Sequence, residues 1–126
     1  MLRGFLMLAA FFGFTGVGLG AFAAHGLKSR LTPEYLTIFH TGVTYQLVHT
    51  LALLGVALLA TQIPGRLLTW AGVSFAVGIL LFSGSLYVLT LTGVSKLGIV
   101  TPFGGLAFLA GWLCLGLAAW RLPLTT

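Results

Sequence analysis

Charge is almost absent from this chain. Of 126 residues only seven are charged, six basic and one acidic, whereas soluble domains carry about 25% charged residues. So few charges cannot cover a water-facing surface, and a soluble enzyme is excluded. The formal net charge of +5 comes from a shortage of acids, not from a basic patch, which excludes nucleic-acid binding as well. The single cysteine, Cys114, rules out an internal disulfide or a cysteine-built metal site. Strict apolar-polar alternation is missing, which argues against a membrane β-barrel. No linker, charge block or low-complexity tract interrupts the chain, so it reads as one integral membrane domain over residues 1–126.

What is present is long apolar sequence. The charges at Arg3, Lys28, Arg30, Glu34, Arg66, Lys96 and Arg121 leave four uncharged stretches, residues 4–27, 35–65, 67–95 and 97–120, of 24, 31, 29 and 24 residues. About 20 apolar residues cross a bilayer as a helix, so each stretch holds one span and none holds two. The best cores are 4–24, 38–61, 67–91 and 103–121. Because lipid forces backbone groups into helices or closed barrels, the expected fold is an all-α membrane protein, a four-transmembrane-helix bundle with short loops. A cleavable leader ending near Ala21-Phe22-Ala23 is the rival reading of the first stretch, but the run is long for a leader's apolar region.

Helix starts are well marked. Thr32-Pro33-Glu34 reads as N-cap, first-turn proline and first-turn acid, and Thr101-Pro102 reads the same way for the fourth span. Gln62-Ile63-Pro64-Gly65 is the turn between the second and third spans. The second helix is long: from Glu34 to Thr61 it would extend about 42 Å, beyond the hydrocarbon core of about 30 Å. Orientation is close to a tie, because Arg3, Arg66 and Arg121 on the terminal side face Lys28, Arg30 and Lys96 on the other. The lone acid, Glu34, on the second side tips the reading towards termini inside. The tie also leaves room for dual topology.

Small residues recur at spacings that bring helices together: Gly16 and Gly20, Gly72 and Ala76, Ala107 and Gly111. Among the polar residues inside the spans, His49 stands out, since an intramembrane ionisable group is a functional candidate; it equally suits a neutral ring bonded to a neighbouring helix. Tyr45 and Gln46 lie four and three residues before it, within reach on a helix. His40 is nine residues away, on the opposite side of the helix, so the two histidines cannot share a metal ion, and no metal or cofactor is expected. Ser83 and Tyr87 share a face of the third span. Trp70 and Trp120 read as interface anchors, and Trp112 as packing.

Polar residues concentrate in one half of the bundle, near loops 25–33 and 93–101. Two helix N-termini face that way, where free N–H groups favour anions. Lys28, Arg30, Lys96 and Thr101, with Gly104 and Gly105 allowing close approach, form a candidate site for an anion or lipid headgroup. His40, Tyr45, Gln46, His49, Ser83 and Tyr87 form a candidate intramembrane polar site.

Five segments in order carry a resemblance: Gly20-Ala21-Phe22-Ala23-Ala24-His25-Gly26; Thr41-Gly42 with Tyr45-Gln46 and His49-Thr50-Leu51-Ala52-Leu53-Leu54; Phe82-Ser83-Gly84-Ser85-Leu86-Tyr87; Thr101-Pro102 with Gly104-Gly105; and Ala110-Gly111-Trp112. Together they resemble the bacterial family called domain of unknown function 423, which has a eukaryotic relative, transmembrane protein 256. The resemblance implies a small four-span protein of the bacterial inner (cytoplasmic) membrane. It implies no activity and no catalytic residues.

Three functions remain in play. The first is a non-enzymatic protein that binds anionic lipid or a partner membrane protein through the polar half. The second is a small homo-oligomeric transporter or channel whose route is lined by His49 and Tyr45. The third, an intramembrane enzyme, lacks any acid near the membrane centre to orient a base.

Overall fold

The computed structural model describes residues 1–124. Helix α1 covers Leu2–His25 and α2 covers Pro33–Leu59; α3 covers Leu67–Gly78 and α4 Gly84–Thr92, with a π-helical segment, Ile79–Ser83, joining them into one rod. A 3₁₀ turn, Ser95–Ile99, then leads into α5, Thr101–Trp120. The result is four rods long and apolar enough to cross a membrane, and no strand occurs among the described residues.

The ends follow local chemistry. Thr32 caps α2, its Oγ1 accepting the Tyr35 N–H at 3.2 Å with Pro33 in the first turn. Helix α2 stops at Leu59, two residues before the expected Thr61, where the N–H groups of Thr61 and Gln62 tighten to bonds only three residues back, to the Leu58 and Leu59 carbonyls. Gly65, at φ 107°, and Gly93, at φ 75°, adopt the left-handed backbone that other residues avoid. Gly93 closes α4, its N–H donating to the Leu89 carbonyl.

The start of α5 departs from the expectation. Thr101 is not an N-cap but the first helical residue, and its hydroxyl shares a 2.6 Å hydrogen bond with Ser85 of α4. The preceding 3₁₀ turn supplies the reason. It runs directly into the helix, so the Val100 carbonyl already takes the Phe103 N–H and the Gly104 N–H.

Helix α2 and the α3–α4 rod occupy the centre; across an apolar 18-residue stretch of each, 44% of the residues are buried, twice the 22% in α1 and the last rod, which flank them. Glycines let the rods close. Gly16 and Gly20 of α1 receive Leu47 and Val43 of α2, Gly72 receives Phe5, and Gly42 receives the Tyr87 ring. On the other flank Gly78 faces Phe108 and Gly111 faces Phe75, while Gly104 lies against the Phe82 backbone so closely that any side chain would collide. The main core, with Phe12, Leu53, Val56, Leu68, Phe75, Ile79 and Phe108, fills the middle and one end; a smaller one around Leu27, Phe39 and Val43 fills the other.

The start of α1, the α2–α3 turn and the end of α5 share one end. Thr69 donates to the Met1 sulfur at 2.9 Å, and Arg66 and Arg121 line the same cavity. Loops 26–32 and 93–100 therefore form the opposite end, with Lys28, Arg30 and Lys96 all exposed there.

Candidate functional site

The buried polar residues of α2 form two separate arrangements. The first centres on Gln46. Its amide nitrogen donates to the Phe12 carbonyl at 2.8 Å and to Thr15 Oγ1 at 2.9 Å, both on α1. Its amide oxygen accepts the Tyr87 hydroxyl of α4 at 2.6 Å. One side chain thus ties three rods together, in lipid where interhelical hydrogen bonds average about 0.6 kcal/mol. A turn away, the Ser83 hydroxyl donates to the Gly42 carbonyl at 2.6 Å. The π segment makes this possible: Gly84 N–H reaches back five residues to Ile79, and the wider turn holds Ser83 fully buried against α2.

The second arrangement centres on His49. Its Nδ1 lies 2.8 Å from the Tyr45 carbonyl, which can only accept, and its Nε2 lies 3.0 Å from the Trp112 indole nitrogen, which can only donate. These partners fix one tautomer, a neutral ring with its proton on Nδ1. Phe108 stacks on the imidazole with centroids 3.6 Å apart and planes within 11°. Phe75 and Trp112 pack at 5.6 and 5.8 Å.

One wall of this cluster is open. Tyr45, His49, Phe82, Pro102, Gly105, Phe108 and Trp112 line a groove of about 600 Å³ on the side of the bundle, between α2, the third rod and α5. Its lining is predominantly apolar, and Tyr45, 43% exposed, forms its edge. From Pro102 to Trp112 it follows α5 for about 15 Å. The missing side chain at Gly105 helps to form it, since nothing approaches the space a Cβ would fill.

The expected residues are thus divided. Tyr45, His49 and Gly105 meet in the groove, and Gln46, Ser83 and Tyr87 meet in the interhelical struts. His40 is exposed and belongs to neither. Lys28, Arg30 and Lys96 share an end of the bundle. Gly104 serves helix contact instead of ligand approach, because the Phe82 backbone occupies its open side. Free N–H groups at the two helix starts are fewer than expected: Thr32 caps one, and the 3₁₀ turn continues the other. Phe82, Phe108 and Trp112 were not expected in a site; the i, i+4 spacing of Phe108 and Trp112 was the available signal. Among the described residues, no three His, Cys, Asp or Glu side chains gather as a metal site would need. Nor is any buried side-chain nitrogen or oxygen without a hydrogen-bond partner.

Four apolar rods, glycine-mediated contacts and internally satisfied polar groups define a small multi-pass membrane protein. Residues 19–105 match the family described as Protein of unknown function (DUF423), and the chain belongs to that family. It is 47% identical to UPF0382 membrane protein YwdK of Bacillus subtilis, covering 91% of this chain and 94% of that one. It is 42% identical to UPF0382 inner membrane protein YgdD of Escherichia coli, covering 95% and 92%. A UPF0382 membrane protein of Haemophilus influenzae is 43% identical over 93% of this chain and 94% of its own length. No solved structure matches. The chain is a multi-pass protein of the bacterial cytoplasmic membrane, in a family whose relatives carry no enzyme name.

Proposed function

We propose that this protein is a non-enzymatic lipid-binding protein, and that the groove beside His49 takes one acyl chain of an anionic phospholipid. The carrying observation is the shape of the groove. It opens sideways into the region of the bilayer, is mostly apolar, and extends about 15 Å from the loop end, close to half the hydrocarbon core of about 30 Å. That is the depth of one leaflet. Its upper end, at Pro102, lies six residues beyond Lys96, so a headgroup would meet Lys96, with Lys28 and Arg30 on the same face.

The test uses a Trp70→Phe, Trp120→Phe background, in which Trp112 alone reports, in nanodiscs carrying phospholipids brominated on the acyl chain. Brominated phosphatidylglycerol should quench Trp112 more than brominated phosphatidylcholine does. Lys28→Ala with Lys96→Ala should lower that preference by up to about 30-fold, each basic residue near an anionic surface contributing about 1 kcal/mol. Equal quenching by the two lipids, unchanged in the double variant, would sink the reading. The transport alternative draws on the same groove, because Tyr45 and His49 would need a second copy opposite to enclose a path. A single copy per disc argues against it.

A further inference from the structure

At the other end of the molecule lies a smaller and more enclosed cavity of about 190 Å³, between the α2–α3 turn and the end of α5. Arg66, in the residue before α3, and Arg121, in the residue after α5, both line it. Its floor is apolar, with Leu68 and Ala118 both buried. The chain's only acidic side chain, Glu34, is at the opposite end of the bundle, so no carboxylate side chain balances these two guanidinium groups. Gly65, with its left-handed backbone, lines the cavity beside Arg66, and both arginines are exposed at its mouth.

Depth points to the kind of ligand. Trp120 precedes Arg121 and Trp70 lies one helical turn after Arg66, and both indoles are largely exposed. Exposed tryptophans anchor a helix at headgroup level, which brings the cavity to the level of lipid phosphates. Guanidinium groups bind phosphate through two parallel N–H bonds, a geometry that lysine cannot reproduce.

We infer that the Arg66–Arg121 cavity is a phosphate-binding site on the terminal face of the protein. Its ligand is a phosphate group, carried by a lipid headgroup or free in solution. The site is independent of the groove beside His49 and shares no residue with it.

The decisive variant is Arg66→Lys with Arg121→Lys, which keeps the charge and removes both forks. The full chain is placed in phosphatidylcholine nanodiscs, alone, with added phosphatidylglycerol, or with inorganic phosphate. Thermal stabilisation and lipid retention by native mass spectrometry are then recorded. A ligand that binds only the folded protein raises its unfolding temperature. Phosphatidylglycerol should stabilise the parent chain, and the double-lysine variant should bind about tenfold more weakly with an unaltered melting temperature in phosphatidylcholine alone. Stabilisation by inorganic phosphate that needs both arginines identifies free phosphate as the ligand; arginine-dependent stabilisation by phosphatidylglycerol only identifies the lipid. Equal binding by the parent and double-lysine chains shows diffuse surface attraction and overturns the proposal, as does no response to either probe. Lys28→Ala with Lys96→Ala, at the far end, should leave the difference between the parent and double-lysine chains unchanged, which separates the outcome from that of the groove.

Discussion

Gln46 and His49 sit three residues apart on one helix and are almost equally buried, at 3% and 5% exposure, yet they have opposite surroundings. Gln46 points between rods, and all its side-chain bonds cross to α1 or α4. His49 points towards the edge, with one bond inside its own helix, one to Trp112, and an aromatic stack instead of a strut. Three steps of 100° leave them about 60° apart around the helix, which is enough to take a side chain from the interior seam to the rim of the groove. Burial alone therefore does not distinguish a polar residue that holds a membrane bundle together from one that shapes its outer surface. The direction of the hydrogen bonds does.

Three substitutions test that contrast. The largest effect is expected from Gly104→Val, which pushes α5 off the Phe82 backbone and moves the wall carrying Phe108 and Trp112. Overpacking against main chain that cannot rotate away should cost about 3 kcal/mol, read as a loss of unfolding free energy in bicelles. Next comes Gln46→Leu. It removes three interhelical bonds and strands the Tyr87 hydroxyl, which at the average for such bonds amounts to about 2 kcal/mol. His49→Phe keeps an aromatic ring in the stack and loses one interhelical bond, so it should cost only about 0.6 kcal/mol. A loss as large as that of Gln46→Leu would erase the distinction and make His49 a strut too.

Much of this was legible in the residues. Charges bracketed the four apolar stretches, and Thr32-Pro33 marked the start of α2. The small-residue spacings marked a close-contact face on α1, and the structure shows Leu47 and Val43 of α2 against its Gly16 and Gly20. Partner choice was not legible. The rods are apolar on nearly every side, so periodicity shows which residues share a face but not which neighbour that face meets. Trp112 reads as packing until its indole is found on His49. Thr101 reads as a cap because Thr-Pro commonly is one, and only the 3₁₀ turn before it frees its hydroxyl for Ser85. The charge pattern put Arg66 and Arg121, 55 positions apart, on the same side of the membrane, but nothing in their spacing showed that they line one cavity.

The π-helical segment carries one more consequence. A bond that reaches back five residues encloses one residue more than an α-helical bond, so α3 and α4 are out of phase with a continuous helix. Removing a single residue from 79–83 would restore the 3.6-residue period and swing everything after it by about 100°. Tyr87 would leave Gln46, Ser85 would leave Thr101, and Leu86 and Leu89 would trade core for lipid. The third rod acts as two dials set against each other, one reading α5 and the other α2. A lone deletion there would preserve its composition, hydropathy and near-full length while unpicking the register on which the polar contacts depend.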